Sequence, residues 1–222
     1  MLGMRKPPFC IGIAGPSCAG KTSIARKLVE MLPGETILFG LDSYYLDLSH
    51  LPHEERAKQN FDDPALLESQ LLAQHLESLR SGESIRQPLY DFATHTRVRD
   101  TQALIKPGDF LIVEGLFTLY WPEVRPAFDM RIFVDAPDPV CFERRKARDV
   151  HERGRTVESI VHQYRETVRP GCEHFVLPSR GHAQLVVDGN QPIELSAHQV
   201  FSAVQQRLGP HPRSVDGEAA RL

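Results

Sequence analysis

Eight consecutive residues carry the densest chemical information in the chain: Gly15-Pro16-Ser17-Cys18-Ala19-Gly20-Lys21-Thr22. The spacing G-x-x-x-x-G-K-T is that of a loop that wraps a phosphate chain. Glycine lets consecutive backbone N–H groups converge on an anion, and a helix opening directly after the loop adds its own unpaired N–H groups. Lys21 brings a charge for β- and γ-phosphates, and the Thr22 hydroxyl is a hard oxygen suited to Mg²⁺. Residues 15–22 are therefore the expected binding segment for a nucleoside triphosphate.

Two carboxylates stand where they can work beside that loop. Glu114 ends the apolar run Phe110-Leu111-Ile112-Val113, and Asp42 follows the run Thr36–Phe39. In an open parallel sheet the carboxyl ends of the strands face the ligand crevice. Glu114 is thus expected to hold Mg²⁺ with Thr22, in part through water. Asp42, next to the γ-phosphate, is placed to accept the proton of an attacking hydroxyl. The most basic stretch runs from Arg144 to Arg155. Arg145 and Arg148 lie three apart on one helix face, and Gly154 separates Arg153 from Arg155. We read about 144–156 as a mobile arginine lid that closes over ATP, its charge short of partners until phosphate arrives, because positive charge and positioning do most of the work in phosphoryl transfer. Asn60-Phe61-Asp62 and the segment Pro88–Arg97, with Tyr90, Phe92 and His95, interleave ring faces with hydrogen-bonding tips. That combination suits a planar, polar acceptor.

The elements that must position these groups follow from apolar patterning. Phe9–Ala14, Thr36–Phe39, Phe110–Val113, Met130–Val134 and Leu185–Val187 read as strands, with a helix over about Lys21–Leu32 and others between. Asp63-Pro64 is a helix start with Leu67, Leu71, Leu72, Leu76 and Leu79 as its stripe, and Asp138-Pro139 is another. Ser196 and Gln199 resemble a capping box for a last helix that Gly209-Pro210 stops. Buried strands alternating with helices predict an α/β fold, a parallel sheet with helices on both faces. Residues of about 84–105 alternate like a small β-hairpin insertion. The expected organisation is one domain over 1–208 and a flexible tail over 209–222.

The composition is that of a globular chain: 222 residues, 41% hydrophobic, 25% charged, net charge −3. A general nucleic-acid-binding surface is disfavoured by that charge, and no apolar run approaches the length of a membrane span. The short run after Arg5 and Lys6 only faintly mimics a signal peptide. Cys10, Cys18, Cys141 and Cys172 form no C-x-x-C pair, so reduced thiols and a cytoplasmic location are expected. An N-K-x-D guanine-reading segment and a transporter signature are both missing, which argues against a GTPase switch and a transporter subunit.

In sum of motifs, residues 9–190 resemble the uridine kinases of the phosphoribulokinase and uridine kinase superfamily. The resemblance rests on the loop at 15–22, Asp-Ser-Tyr-Tyr at 42–45, Asn-Phe-Asp at 60–62 and Tyr-Asp-Phe-x-x-His-x-Arg at 90–97. Glu-Gly at 114–115, Arg-Asp-x-x-Glu-Arg-Gly-Arg at 148–155, Gln-Tyr at 163–164 and Leu-Pro-Ser at 177–179 complete it. Pro16 stands where the family usually has a second glycine, Asp63 replaces a usual histidine, and Ala183-Gln184 replaces a usual Ala-Asp. The resemblance implies a P-loop fold, ATP and Mg²⁺, and phosphorylation of the 5′-hydroxyl of uridine or cytidine in pyrimidine salvage. It implies Asp42 as general base, Asp62 on the ribose hydroxyls, and Tyr90 and His95 on the pyrimidine edge. Arg145, Arg155 and Gln163 would complete the nucleoside site, and Arg148 and Arg153 would contact phosphates. A homo-oligomer is implied as well. Two alternatives stay open: a kinase of the same superfamily for another acceptor, such as pantothenate or a sugar phosphate, and a nucleotide-binding regulator without turnover.

Overall fold

A strand that is apolar on both faces belongs in the middle of a sheet covered on both sides, and β1 (Phe9–Ala14) is such a strand. Its Cys10 and Ala14 enter one core with Phe39, Leu111, Val113 and Phe133, while Ile11 and Ile13 enter the other with Ile112, Ile132 and Val134. The computed structural model of the chain describes residues 6–209. Five parallel strands form the main sheet in the order β2-β5-β1-β6-β7, with β2 at Thr36–Gly40, β5 at Phe110–Glu114, β6 at Met130–Asp135 and β7 at Leu185–Asp188. Helix α1 (Lys21–Met31) and the C-terminal helix Ile193–Leu208 cover one face through Ile24, Leu28, Ala197, Val200 and Val204. Leu72, Leu76 and Leu79 of the helix Ser69–Arg80 cover the other.

Register decides which carboxylates meet. Glu114 is paired with Ile13 of β1 and with Gly40 of β2. The end of β5 therefore lies between the loop that leaves β1 and the turn Leu41–Tyr44 that leaves β2. Close approach there depends on Gly115, where a Cβ would lie 2.4 Å from Leu41 Cβ.

The hairpin insertion is present as β3 (Ile85–Asp91) and β4 (Thr96–Ile105), paired antiparallel as a separate two-stranded sheet. Three expectations need correction. Asp63 does cap a turn, accepting from the Ala65 N–H at 2.8 Å, but that turn ends at Leu66. Leu67 is extended, buried and bridged to Tyr45, and the helix starts at Ser69. Pairing with the 44–46 backbone outcompetes helical continuation there. Ser196 is not a cap: the last helix begins at Ile193 after Pro192, and the buried Ser196 hydroxyl donates to the Asp188 carbonyl at 2.7 Å. Between the lid and β7 no element was expected, yet helical backbone runs over residues 157–182. Its two π-helical turns, Tyr164–Val168 and Cys172–Val176, each precede a proline, Pro170 and Pro178. The wider turn gives room to a residue without an N–H. Of the expected tail, residues 210–222 lie outside the described residues.

Candidate active site

The loop Gly15–Thr22 connects β1 to α1. Gly15 has φ 145°, and a Cβ on it would lie 2.2 Å from the Val134 carbonyl oxygen, so no other residue fits. Gly20 and Cys18 also have positive φ, 104° and 63°, which curls the loop. Lys21 folds back so that its Nζ donates to the Pro16 carbonyl at 2.8 Å. Burial pulls the Lys21 ammonium below its ordinary pKa, against the pull of Glu114 and Asp42. The loop is thus held open by its own lysine, ready to exchange one carbonyl for a phosphate.

Thr22 Oγ1 donates to Glu114 Oε1 at 3.0 Å. Asp42 opens on the same floor. Although its side chain faces the cleft, burial, and after it the Glu114 charge, push its carboxyl up to about 6, against Lys21, Arg153 and Arg148. Thr22 and Glu114 offer oxygen only, the donor set of a hard cation such as Mg²⁺. Among the described residues no group of three or more His, Cys, Asp or Glu is assembled to hold a metal alone.

One cleft of about 1050 Å³ joins these groups to Asp62, Phe61 and His95, the residues expected to face an acceptor. Ser17, Cys18, Gly20, Lys21, Thr22 and Glu114 line its phosphate end. Gly15, Pro16 and Ala19 are buried and do not reach its wall. Asp62, Phe61, Tyr45, Phe92 and His95 line the other end, and Asp42 belongs to the same wall. Asp62 is buried, which raises its carboxyl against the opposing Arg145 charge and a Thr167 hydrogen bond. The hairpin tip is built by Asp91, whose carboxylate accepts from the Ala93 N–H and the Thr94 hydroxyl, both at 2.8 Å. This turn delivers His95 onto Phe61, rings stacked with centroids 4.8 Å apart. Burial lowers the His95 pKa, and its buried Nδ1 has no hydrogen-bond partner among the described residues. That unpartnered nitrogen leaves His95 a ring atom able to hydrogen-bond.

Tyr90 departs from expectation. It does not line the cleft: its ring packs on Tyr45 and Phe92, with centroids 5.4 and 5.1 Å away, and its buried hydroxyl has no hydrogen-bond partner among the described residues. Phe92 covers it and takes its place at the wall.

The arginines converge, but they are not short of partners. Asp149, on the helix Asp138–His151, has a fully buried side chain. Arg148 reaches its Oδ1 at 2.8 Å and Arg153 at 3.5 Å, while Arg155 and Arg145 reach Oδ2 at 3.4 and 3.7 Å. Arg145 also donates to Ser17 Oγ at 3.0 Å and to Gln163 Oε1 at 3.2 Å, an oxygen that Arg155 shares. The lid charge is therefore gathered on one carboxylate and tied to the phosphate loop. Asp149 was visible only as an acid diluting a basic run; its position four residues after Arg145 was the available signal.

The family model described as "Phosphoribulokinase / Uridine kinase family" matches residues 10–194. A uridine kinase of Chloroflexus aurantiacus is 40% identical over 210 residues, 94% of this chain and 100% of that relative. Another, of Shewanella amazonensis, is 44% identical over 182 residues, 80% of this chain and 85% of the relative. Among solved structures, phosphoribulokinase from Rhodobacter spheroides superposes with a TM-score of 0.62 at 14% identity, covering 85% of this chain and 74% of that one.

Proposed function

The chain belongs to the phosphoribulokinase and uridine kinase family, and we propose that it transfers the γ-phosphoryl group of ATP to the 5′-hydroxyl of uridine or cytidine, releasing ADP and the nucleoside 5′-monophosphate. The observation that supports this reading is one cleft lined together by Lys21, Thr22, Glu114, Asp42, Asp62 and His95. The loop N–H groups and Lys21 hold the β- and γ-phosphates. Thr22 and Glu114 hold Mg²⁺, which when bound neutralises charge on the transferring group. Asp62 accepts hydrogen bonds from the ribose hydroxyls, His95 reads the base edge beside Phe61 and Phe92, and Arg145, Arg155 and Gln163 close the nucleoside site. Asp42 takes the proton of the attacking 5′-hydroxyl, a task for which a carboxyl raised toward neutrality is suited. Arg148 and Arg153 turn from Asp149 toward the phosphates.

The alternative is an anionic acceptor, pantothenate or a sugar phosphate, which would meet Arg145 and Arg155 in the same cleft as Asp62 and His95. Residues 1–208 act in this reading as one kinase domain in the cytoplasm. A panel of uridine, cytidine, adenosine, pantothenate and ribulose 5-phosphate, each with ATP and Mg²⁺ and scored for ADP release, tests it. Uridine and cytidine are expected to be preferred; preference for any of the other three contradicts the assignment, and no turnover with any favours the regulator.

A remote glycine provides a further check. Gly171 is buried, and a Cβ on it would lie 2.5 Å from the Asp62 carbonyl oxygen. Backbone, not a flexible side-chain end, would have to yield. Gly171→Ala is expected to displace Asp62, raising nucleoside KM by roughly tenfold, with an overpacking cost of about 1–3 kcal/mol. ATP KM should stay within about twofold, as measured in initial-rate kinetics; equal losses for both substrates would count against the ribose role of Asp62.

A further inference from the structure

Arg97 lies in the same motif as His95, yet it does not face the cleft. From β4 its Nε donates to the Tyr45 carbonyl at 3.0 Å and its NH2 to the Tyr44 carbonyl at 3.4 Å. The same NH2 pairs with Glu68 Oε2 at 2.8 Å, and the Arg97 N–H donates to Asp47 Oδ1 at 3.2 Å. Glu68 closes the circuit, since its own N–H donates to the Tyr44 carbonyl at 3.0 Å. The Arg97 guanidinium, held by the Glu68 carboxylate, thus grips the backbone at the end of the turn Leu41–Tyr44, which carries Asp42.

The grip matters because of how the acceptor end is built. His95 and Phe92 ride on the β3–β4 hairpin, which shares no strand pairing with the main sheet, whereas Asp42 and Glu114 ride on the ends of main-sheet strands. The distance between the groups that hold the nucleoside and the group that takes its proton is therefore set by links between hairpin and loop. Arg56 makes a second link, donating to the Thr94 carbonyl at 3.1 Å and to the Ser49 carbonyl at 3.2 Å, but it lies farther from Asp42 along the chain. Resting on the nucleoside kinase reading above, we infer that Arg97, held by Glu68, is a positioning residue that fastens the nucleoside-holding hairpin to the Asp42 loop and so aligns the 5′-hydroxyl with its base. It touches neither substrate. A planar fork serves two carbonyls and a carboxylate at once, which a lysine ammonium on a flexible stem does not reproduce.

The test is a set of three variants, Arg97→Gln, Glu68→Gln and the double, assayed with uridine and ATP-Mg²⁺ beside the wild type. Misplacement of reacting groups by about 1 Å costs up to roughly 100-fold, so Arg97→Gln is expected to lower kcat with uridine by about 10- to 100-fold. ATP affinity, measured by direct binding, should stay within about twofold. Because Glu68 acts through Arg97, Glu68→Gln should cost less, and the double variant should be no slower than Arg97→Gln alone. Glu68 is partly exposed, so its variant reports even where Arg97→Gln folds poorly. A kcat within about twofold of wild type for Arg97→Gln overturns the inference. So do multiplicative losses in the double variant, or a loss of uridine turnover and ATP binding together in proportion to unfolded protein. Wild-type protein that phosphorylates no nucleoside overturns the kinase reading itself, and the inference with it.

Discussion

Asp42→Asn is expected to lower kcat by about 10²–10⁴, the usual contribution of a general base, while leaving ATP binding and the fold intact. Asparagine keeps the size and polarity of the side chain and removes only its capacity to take a proton. The Asp42 carboxyl is pushed up to about 6, first by burial and then by Glu114, and this fixes two signs. The free enzyme needs the ionised form, so kcat/KM of the wild type should fall as pH drops through about 6, and that acid limb should be lost in Asp42→Asn. A carboxyl with a raised folded-state pKa favours the folded protein most at low pH and loses that contribution as pH rises from its unfolded value through about 6. At neutral pH the asparagine variant should therefore melt slightly higher than wild type, the gain limited by water in the open cleft. Lys21→Ala provides the contrast, since losing the phosphate-facing charge should damage ATP affinity as well as rate. If Asp42→Asn turns over within a few-fold of wild type, Asp42 is not the base and Asp62 is the next candidate. If it loses ATP affinity as badly as Lys21→Ala, Asp42 serves the metal site instead.

Asp149→Asn should be the most destabilising single change in the lid. Removing one partner of a buried ion pair costs about 3–5 kcal/mol, and here one fully buried carboxylate faces four guanidinium groups. For a chain of this size that corresponds to a Tm lower by about 6–20 °C. The cause is uncompensated positive charge, so sulfate or ATP should restore part of the loss and should raise the Tm of the variant more than that of wild type. Thermal melts with and without added anion check this. A shift of only a degree or two, or a loss indifferent to anions, would show that Asp149 is not the hub on which the arginines depend.

Much of this site was legible because its chemistry is local in sequence. The loop at 15–22 joins a glycine pattern to a strand before and a helix after, and Glu114 and Asp42 each end an apolar run, so strand order alone brings them together. What escaped depends on contacts between distant segments. Leu67 leaves helical geometry because Tyr45 pairs with it. Tyr90 is hidden because Phe92 packs over it. The helical run over 157–182 has buried residues at Ile160, Tyr164 and Val168, a four-residue spacing, but Pro170 and Pro178 obscure it until π-helical turns make room for them. Asp149 reads as one acid among many bases until folding gathers four side chains around it. Arg97 shares a motif with base-reading groups and yet holds backbone, a difference of direction that spacing along a strand does not reveal.

The activity proposed for this cleft is the transfer of a phosphoryl group from ATP to a nucleoside 5′-hydroxyl. Its most direct test compares uridine with 5′-deoxyuridine, which keeps the base and the ribose 2′- and 3′-hydroxyls but lacks the accepting oxygen, using γ-phosphate-labelled ATP and identification of the labelled product. Label is expected in uridine 5′-monophosphate with the first and in no nucleotide product with the second, although 5′-deoxyuridine should compete with uridine for the site. Label transferred to 5′-deoxyuridine, or ADP release undiminished by its use, would contradict it.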